Sequence, residues 1–353
     1  MKKITLFITM LATASMLVAQ KVDLDRFNFR YLTRTLPTNP LPDGYKTYHF
    51  NIASSASVRE VYNDDRIKQT LTLNGLKHNE GKGHITINMN LGEVSLKNPE
   101  LKEREEVIKD KDGKETGRKK YYWIEAVYAW TGEVNVTDYK GTKLYSTTIG
   151  VGNTIWKGAE SENKGTPGDY YNNNKYAIRS AIATDVVTNS MQRLSFGLNR
   201  MYGYGTITDA DFLWLLDSKK HPENDAMKKA WASFKEAVSL MNEKDEITPV
   251  KEKMIPVIQY LDSLKTRITG TEKADKKLRY AAYYSLAKIY LILDEPDKAI
   301  KEAELLIVND YDTNDGKTLI SLANDLKASF EKNKINTRHF PIDISKYSAP
   351  EGN

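Results

Sequence analysis

The hydrophobic period of this chain changes near its middle, and that change restricts the fold more than any other feature. In the first half, apolar residues recur at every second position. The segment His84 to Leu91 alternates throughout and sets Ile85, Ile87, Met89 and Leu91 on one face, as a strand with one buried face requires. Tyr48, Phe50 and Ile52 form a similar set, and Ile67, Leu71 and Leu73 read the same way. Tyr122, Ile124, Ala126, Tyr128 and Trp130 alternate up to a break at Gly132. Val134 and Val136 then lead to Asp138-Tyr139-Lys140-Gly141, a hairpin turn into a strand from Leu144 to Ile149. Five or more antiparallel strands are implied. Lys102 to Lys120 is a charged insert with a turn at Asp112-Gly113, expected to protrude as a solvated hairpin.

Around these strands the chain changes character. Lys21 to Pro42 is polar, with Pro37, Pro40 and Pro42 close together, and reads as an extended lead-in. Residues 157–174 read as a loop, followed by a helix from Tyr176 to Leu198 with Asn174 as N-cap, ended by Tyr202-Gly203-Tyr204-Gly205. Thr206 to Leu216 reads as a strand. From Asp225 onward the period is helical: Ala230, Trp231, Phe234, Ala237, Val238 and Met241 make one apolar stripe. Thr248-Pro249 opens the next helix, in which Pro256 should produce a kink. Three more helices are expected over Leu278 to Leu293, Asp297 to Val308 and Leu319 to Phe330. The fold class is therefore α+β: an antiparallel β domain over 20–160, a helix and strand packed on it over 161–221, an α-helical hairpin array over 222–335 and a tail over 336–353.

Met1-Lys2-Lys3, an apolar run from Ile4 to Val18 and then Ala19-Gln20 read together as a secretory signal peptide over 1–19. The run falls short of the ~20 residues of a spanning helix, and no later stretch approaches that length. No direct membrane span is expected. The chain has no cysteine, which in an exported protein excludes disulfides, a thiol nucleophile, zinc–thiolate sites and an acylated N-terminal cysteine. Net charge is +5, or +3 once Lys2 and Lys3 leave with the leader, too balanced for a nucleic-acid partner.

The pair of helices from Ala281 to Leu306 resembles a tetratricopeptide repeat, a helix-turn-helix unit of about 34 residues. Tyr283, Leu286, Ala287 and Tyr290 stand at the first helix's large, Leu, small and Tyr positions, and Asp294-Glu295-Pro296-Asp297 is a turn of matching length. Ala299 and Ala303 take two small positions of the second helix, and upstream Ala230, Phe234 and Ala237 reproduce its spacing. The resemblance covers about 110 residues and is specific in one unit. It implies a groove lined by inner helices, where Tyr284, Lys288 and Leu291 with Lys277 nearby would meet a protein partner. Export without cysteine and the Lys, Asn and Tyr bias also look like secreted proteins of the Bacteroidota, which are Gram-negative. That implies a periplasmic or outer-membrane partner, at the periplasmic face of the outer membrane.

No catalytic constellation stands out, no cofactor is implied and no metal site is read. Asn309 to Gly316 superficially offers calcium ligands, but Gly316 falls one place late and Ser321 stands where a bidentate Glu is needed. It reads instead as a turn capping the last helix through Asn314 or Asp315. The histidines His49, His78, His84, His221 and His339 include no helical pair; His78 and His84 could face one another across a hairpin but lack a third ligand. Gly150-Val151-Gly152 is a lone G-x-G without a helix to follow. The reading is an exported, non-enzymatic adaptor or scaffold; the alternative is an envelope protein that binds or cleaves glycans, with Trp123 and Trp156 as a stacking platform in an aromatic-rich β domain.

Overall fold

The computed structural model describes residues 21–351, so the leader read over 1–19 lies outside them. In chain order the elements begin with β1 (Leu24–Arg34), β2 (Thr47–Ser54), α1 (Ala56–Val61), α2 (Asp64–Thr70), β3 (Lys77–His78) and β4 (Ile85–Leu91). There follow β5 (Ser95–Lys109), β6 (Glu115–Asp138), β7 (Lys143–Lys157), α3 (Thr166–Tyr202) and β8 (Thr206–Leu216). The helices α4 (Asn224–Val238), α5 (Thr248–Arg267), α6 (Lys273–Ile292), α7 (Pro296–Asn309) and α8 (Thr313–Asn333) complete the set. The protein is α+β, and it divides into two compact units: Arg34–Thr206 with the C-terminal segment from Ile342, and the chain up to Thr33 with Ile207–Pro341.

The first unit is a six-stranded sheet ordered β3-β2-β4-β6-β5, with β7 on β6 as well. The pairs β4–β6, β5–β6 and β6–β7 are antiparallel, as alternation and the turn at Asp138 to Gly141 lead one to expect. The strand β2 departs from this pattern, pairing parallel with both β3 and β4. A parallel pair needs a crossover, and α1 and α2 supply it. Ile67 and Leu71, read above as strand residues, are four apart, which suits one face of a helix equally well. Asn63 decides in favour of helix, because its side chain caps α2 by accepting from the Arg66 N–H. Glycine is required at the return: a Cβ on Gly83 would stand 2.6 Å from the Tyr48 carbonyl carbon.

The helix α3 packs on the sheet through Ile178, Ile182, Val186, Met191 and Leu198, which join Ile85, Ile87, Val134, Val136 and the 1% exposed Trp130 in one core. The indole of Trp130 keeps a partner there, donating to Gly92 O at 2.9 Å, as a buried Trp needs. The helix starts at Thr166, ten residues before the start read from its apolar pattern, and Asn174 lies inside it. Pro167 belongs to its first turn, where a missing N–H costs nothing. The charged insert forms the far end of the β5–β6 hairpin, closed at Gly113 with φ 79°.

The second unit combines the helices α4 to α8 with a two-stranded ribbon, β1–β8. β1 occupies half of the segment read as lead-in, and β8 belongs to this unit instead of packing on the β domain. The ribbon is held by aromatic contacts: Phe29 meets Phe234 edge-to-face at 4.8 Å and Phe27 stacks on Trp231 at 6.1 Å. Where α6 crosses α7, Ala287, Ala299 and Ala303 are fully buried, since small residues let two helix backbones approach. The turn between them places Asp294 in the left-handed region at φ 59°. Its carboxylate, 0% exposed, pins the tail by accepting from Arg338 Nε at 2.7 Å and Thr337 Oγ1 at 2.9 Å.

Candidate functional site

The partner-binding positions read from the repeat resemblance lie on or beside α6. Tyr284 is 6% exposed, stacked on Phe212 of β8 at 5.6 Å and tilted against Trp214 at 6.0 Å. Lys288 Nζ is 2.8 Å and 3.0 Å from the two carboxylate oxygens of Asp211, also on β8. Leu291 is half-buried and packs on the core, while its carbonyl accepts from Arg338 Nη2 at 2.8 Å. Only Lys277 keeps a half-exposed side chain without such a commitment. The face expected to hold a partner is thus covered by β8, and Tyr284, Lys288 and Leu291 serve packing within the unit. The surrounding hydroxyls are held neutral: burial, reinforced by Asp315, pushes the Tyr280 phenol far up, and burial reinforced by Asp211 does the same to Tyr284.

The strand register separates the two tryptophans of the glycan platform. Directly paired residues share a sheet face. Trp156 pairs with Ala126, which is buried under α3, and its ring lies 5.8 Å from Tyr171 of that helix. Trp123 is three residues from Ala126 along β6 and therefore points to the opposite face. There its indole donates to Glu125 Oε1 at 2.8 Å and Lys157 Nζ sits 4.2 Å from its ring centroid. No cleft contains both rings. The recess beside Trp156, which includes Tyr170 and Pro167, has a volume of about 120 Å³, well under the ~300 Å³ of a small ligand pocket.

The other motifs resolve into structure. Gly150 pairs with Thr131 at φ 132°, where a Cβ would be 2.0 Å from Trp130 O; Gly150-Val151-Gly152 is strand running into the register shift between Val151 and Thr154, and no helix N-terminus follows it. At the start of α8 the cap is Asp312, accepting from the N–H groups of Asn314 and Asp315, while Asp315 accepts from Tyr280. Asn314 and Asp315 are thus the capped residues, one step from the assignment made above.

His78 and His84 do not face each other. His84 Nδ1 pairs with Thr47 Oγ1 at 2.7 Å. His78 instead meets His49 and Glu80, the three offering one ligand atom each within 4.8 Å of one another. The parallel β2–β3 pairing brings them together by setting Tyr48 opposite His78, with Asn79 N–H donating to Tyr48 O at 2.9 Å. Burial lowers the pKa of His78, and the hydrogen bond from Lys68 lowers that of Glu80. Reasoning from local spacing missed this group because His49 and His78 are 29 positions apart and join only through a parallel strand pair.

No family model matches this chain, and no curated protein matches it. Among solved structures, a minor lipoprotein from Acinetobacter baumannii is similar over 46% of this chain and 98% of that one, at 14% identity and a TM-score of 0.24. A similarity at that score carries no argument about fold or role. No helix among the described residues is long and apolar enough to cross a membrane.

Proposed function

We propose that this chain is an exported, non-enzymatic adaptor of the cell envelope, acting at the periplasmic face of the outer membrane, and that its helical-hairpin unit holds a protein partner. One observation carries the reading. After the inner face of α6 has been filled by the unit's own ribbon, α7 still presents an apolar pair one turn apart, Leu305 at 36% and Val308 at 79% exposure. Val308 is the most exposed large apolar side chain among the described residues. Lys301 and Glu304 flank the pair, giving a small apolar centre with a charged rim, the usual make-up of a binding patch. The partner surface is therefore the outer face of α7.

The test is site-specific photocrosslinking in the native envelope, with the probe at Val308 and a control probe at Lys219 of the same unit. The reading expects one protein species captured from Val308, absent from the control, and lost when Leu305→Asp is added without change in the unfolding midpoint. Equal capture at both positions, or none at Val308, refutes it.

A further inference from the structure

We infer that His49, His78 and Glu80 form a binding site for a divalent transition-metal ion of the zinc class. This site lies in the β-sheet unit and does not depend on the adaptor reading.

Three features of the geometry support it. His49 is already set up as a ligand: its Nδ1 is 3.0 Å from Asn79 O. A carbonyl oxygen only accepts, so Nδ1 carries the proton and Nε2 keeps its lone pair free. Metal-binding histidines are oriented in this way, with the second ring nitrogen donating to a backbone carbonyl. His78 has a ring nitrogen, Nε2, that is buried with no hydrogen-bond partner, while its Nδ1 lies 3.9 Å from Glu80 Oε1. The ring is fixed by Tyr48 and Phe50 at 5.3 and 5.4 Å. Glu80, with its side chain 73% exposed, can reorient once its ion pair with Lys68 opens. Ligands about 2.0–2.2 Å from a tetrahedral ion stand roughly 3.5 Å apart, so the cluster must close by about 1 Å. Rotation of Glu80 on the turn between β3 and β4 shortens its distance to the imidazoles.

Donor chemistry narrows the ion. Two imidazoles and a carboxylate suit zinc, nickel or copper(II), whereas calcium and magnesium prefer all-oxygen sites. Three protein ligands leave a fourth position to water. One group opposes binding: Lys68 Nζ lies 3.1 Å from both carboxylate oxygens of Glu80. An incoming cation has to displace it, so the structure assigns Lys68 the role of competitor.

The experiment is titration of the exported protein, purified without a polyhistidine tag and stripped with chelator, first with cobalt(II) and then with zinc(II). The expected result is one equivalent of cobalt, seen as ligand-field absorption in the visible, displaced by one equivalent of zinc. His49→Gln and Glu80→Gln should each weaken zinc binding by about tenfold or more. Lys68→Met should tighten it, a gain that a merely structural cluster would not show. His221→Gln, in the other unit, should leave it unchanged. His78→Gln disturbs packing beside Tyr48 and Phe50, so His49→Gln and Lys68→Met decide the matter if that variant unfolds. Absence of a stoichiometric site, or the same affinity in His49→Gln as in the unaltered protein, overturns the inference.

Discussion

Reversing the charge of Lys288 separates a binding residue from a structural one. If Lys288 lined an open groove, Lys288→Glu would weaken a partner and leave folding alone. In the structure its ammonium is 2.8 Å from Asp211 Oδ2, with side chains only 14% and 21% exposed. At that distance and an effective dielectric constant near 20, the Coulomb attraction is about 6 kcal/mol, most of it offset by the cost of taking both charges out of water. Removing one partner of such a pair costs about 3–5 kcal/mol, because the other charge stays behind unpaired. Lys288→Glu should therefore destabilise the helical unit by at least about 3 kcal/mol, and the swapped pair Asp211→Lys with Lys288→Glu should recover half or more of the loss. Urea unfolding followed by tryptophan fluorescence can read this, since Trp214 and Trp231 both lie against or within the ribbon. Lys277→Glu serves as the comparison and should shift stability by less than about 0.5 kcal/mol. A Lys288→Glu protein as stable as the Lys277→Glu one, or a swapped pair with no recovery, would refute the placement of β8 over α6.

Two further outcomes follow from the β-sheet unit. Gly150→Ala, which puts a Cβ against Trp130 O at a positive φ, should cost about 3 kcal/mol or more, whereas Gly152→Ala, with open space around it, should be nearly neutral; paired thermal melts check the contrast. Glu160 holds the base of the β5–β6 hairpin through Arg104 at 2.8 Å and Lys157 at 2.8 Å, and these hydrogen bonds bring its pKa down to about 2. Because the folded value lies below the ordinary 4.5, its contribution is complete above pH 4.5 and is lost as the pH falls toward 2. Carboxyl NMR should find Glu160 ionised at pH 3, and Arg104→Ala should move its titration upward; an ordinary titration in the unaltered protein would contradict the pairing.

The helical half was legible in the sequence to a degree the ribbon was not, and the difference is one of range. Ala230, Trp231, Phe234, Ala237 and Val238 reveal α4 because a helix buries residues three and four apart, and all five are buried. The antiparallel strands declare themselves by alternation and by turns such as Asp138 to Gly141. What stayed hidden depends on segments far apart in sequence. β1 and β8 pair across more than 170 positions, and His49 meets His78 only once β2 and β3 lie parallel. The start of α3 is not legible because Pro167, Gly168 and the run Asn172 to Asn174 fill its first turns with residues that favour loops.

The misplaced groove shows where such a signal did exist. Tyr280, Tyr284 and Lys288 recur every four residues along α6, and two aromatic rings in a row make a face too apolar to leave to water. Phe212 and Trp214 alternate on β8 with the same excess, and Asp211 adds the one acid that Lys288 requires. Matched in this way, the two segments describe each other's cover: three aromatic pairs and one ion pair, with Trp214 Nε1 donating to Tyr280 at 3.0 Å. An inner helix rich in aromatics is therefore better read as already occupied, and the partner proposed above falls to the helix whose exposed apolar residues have no such counterpart among the described residues. On α7 those are Leu305 and Val308.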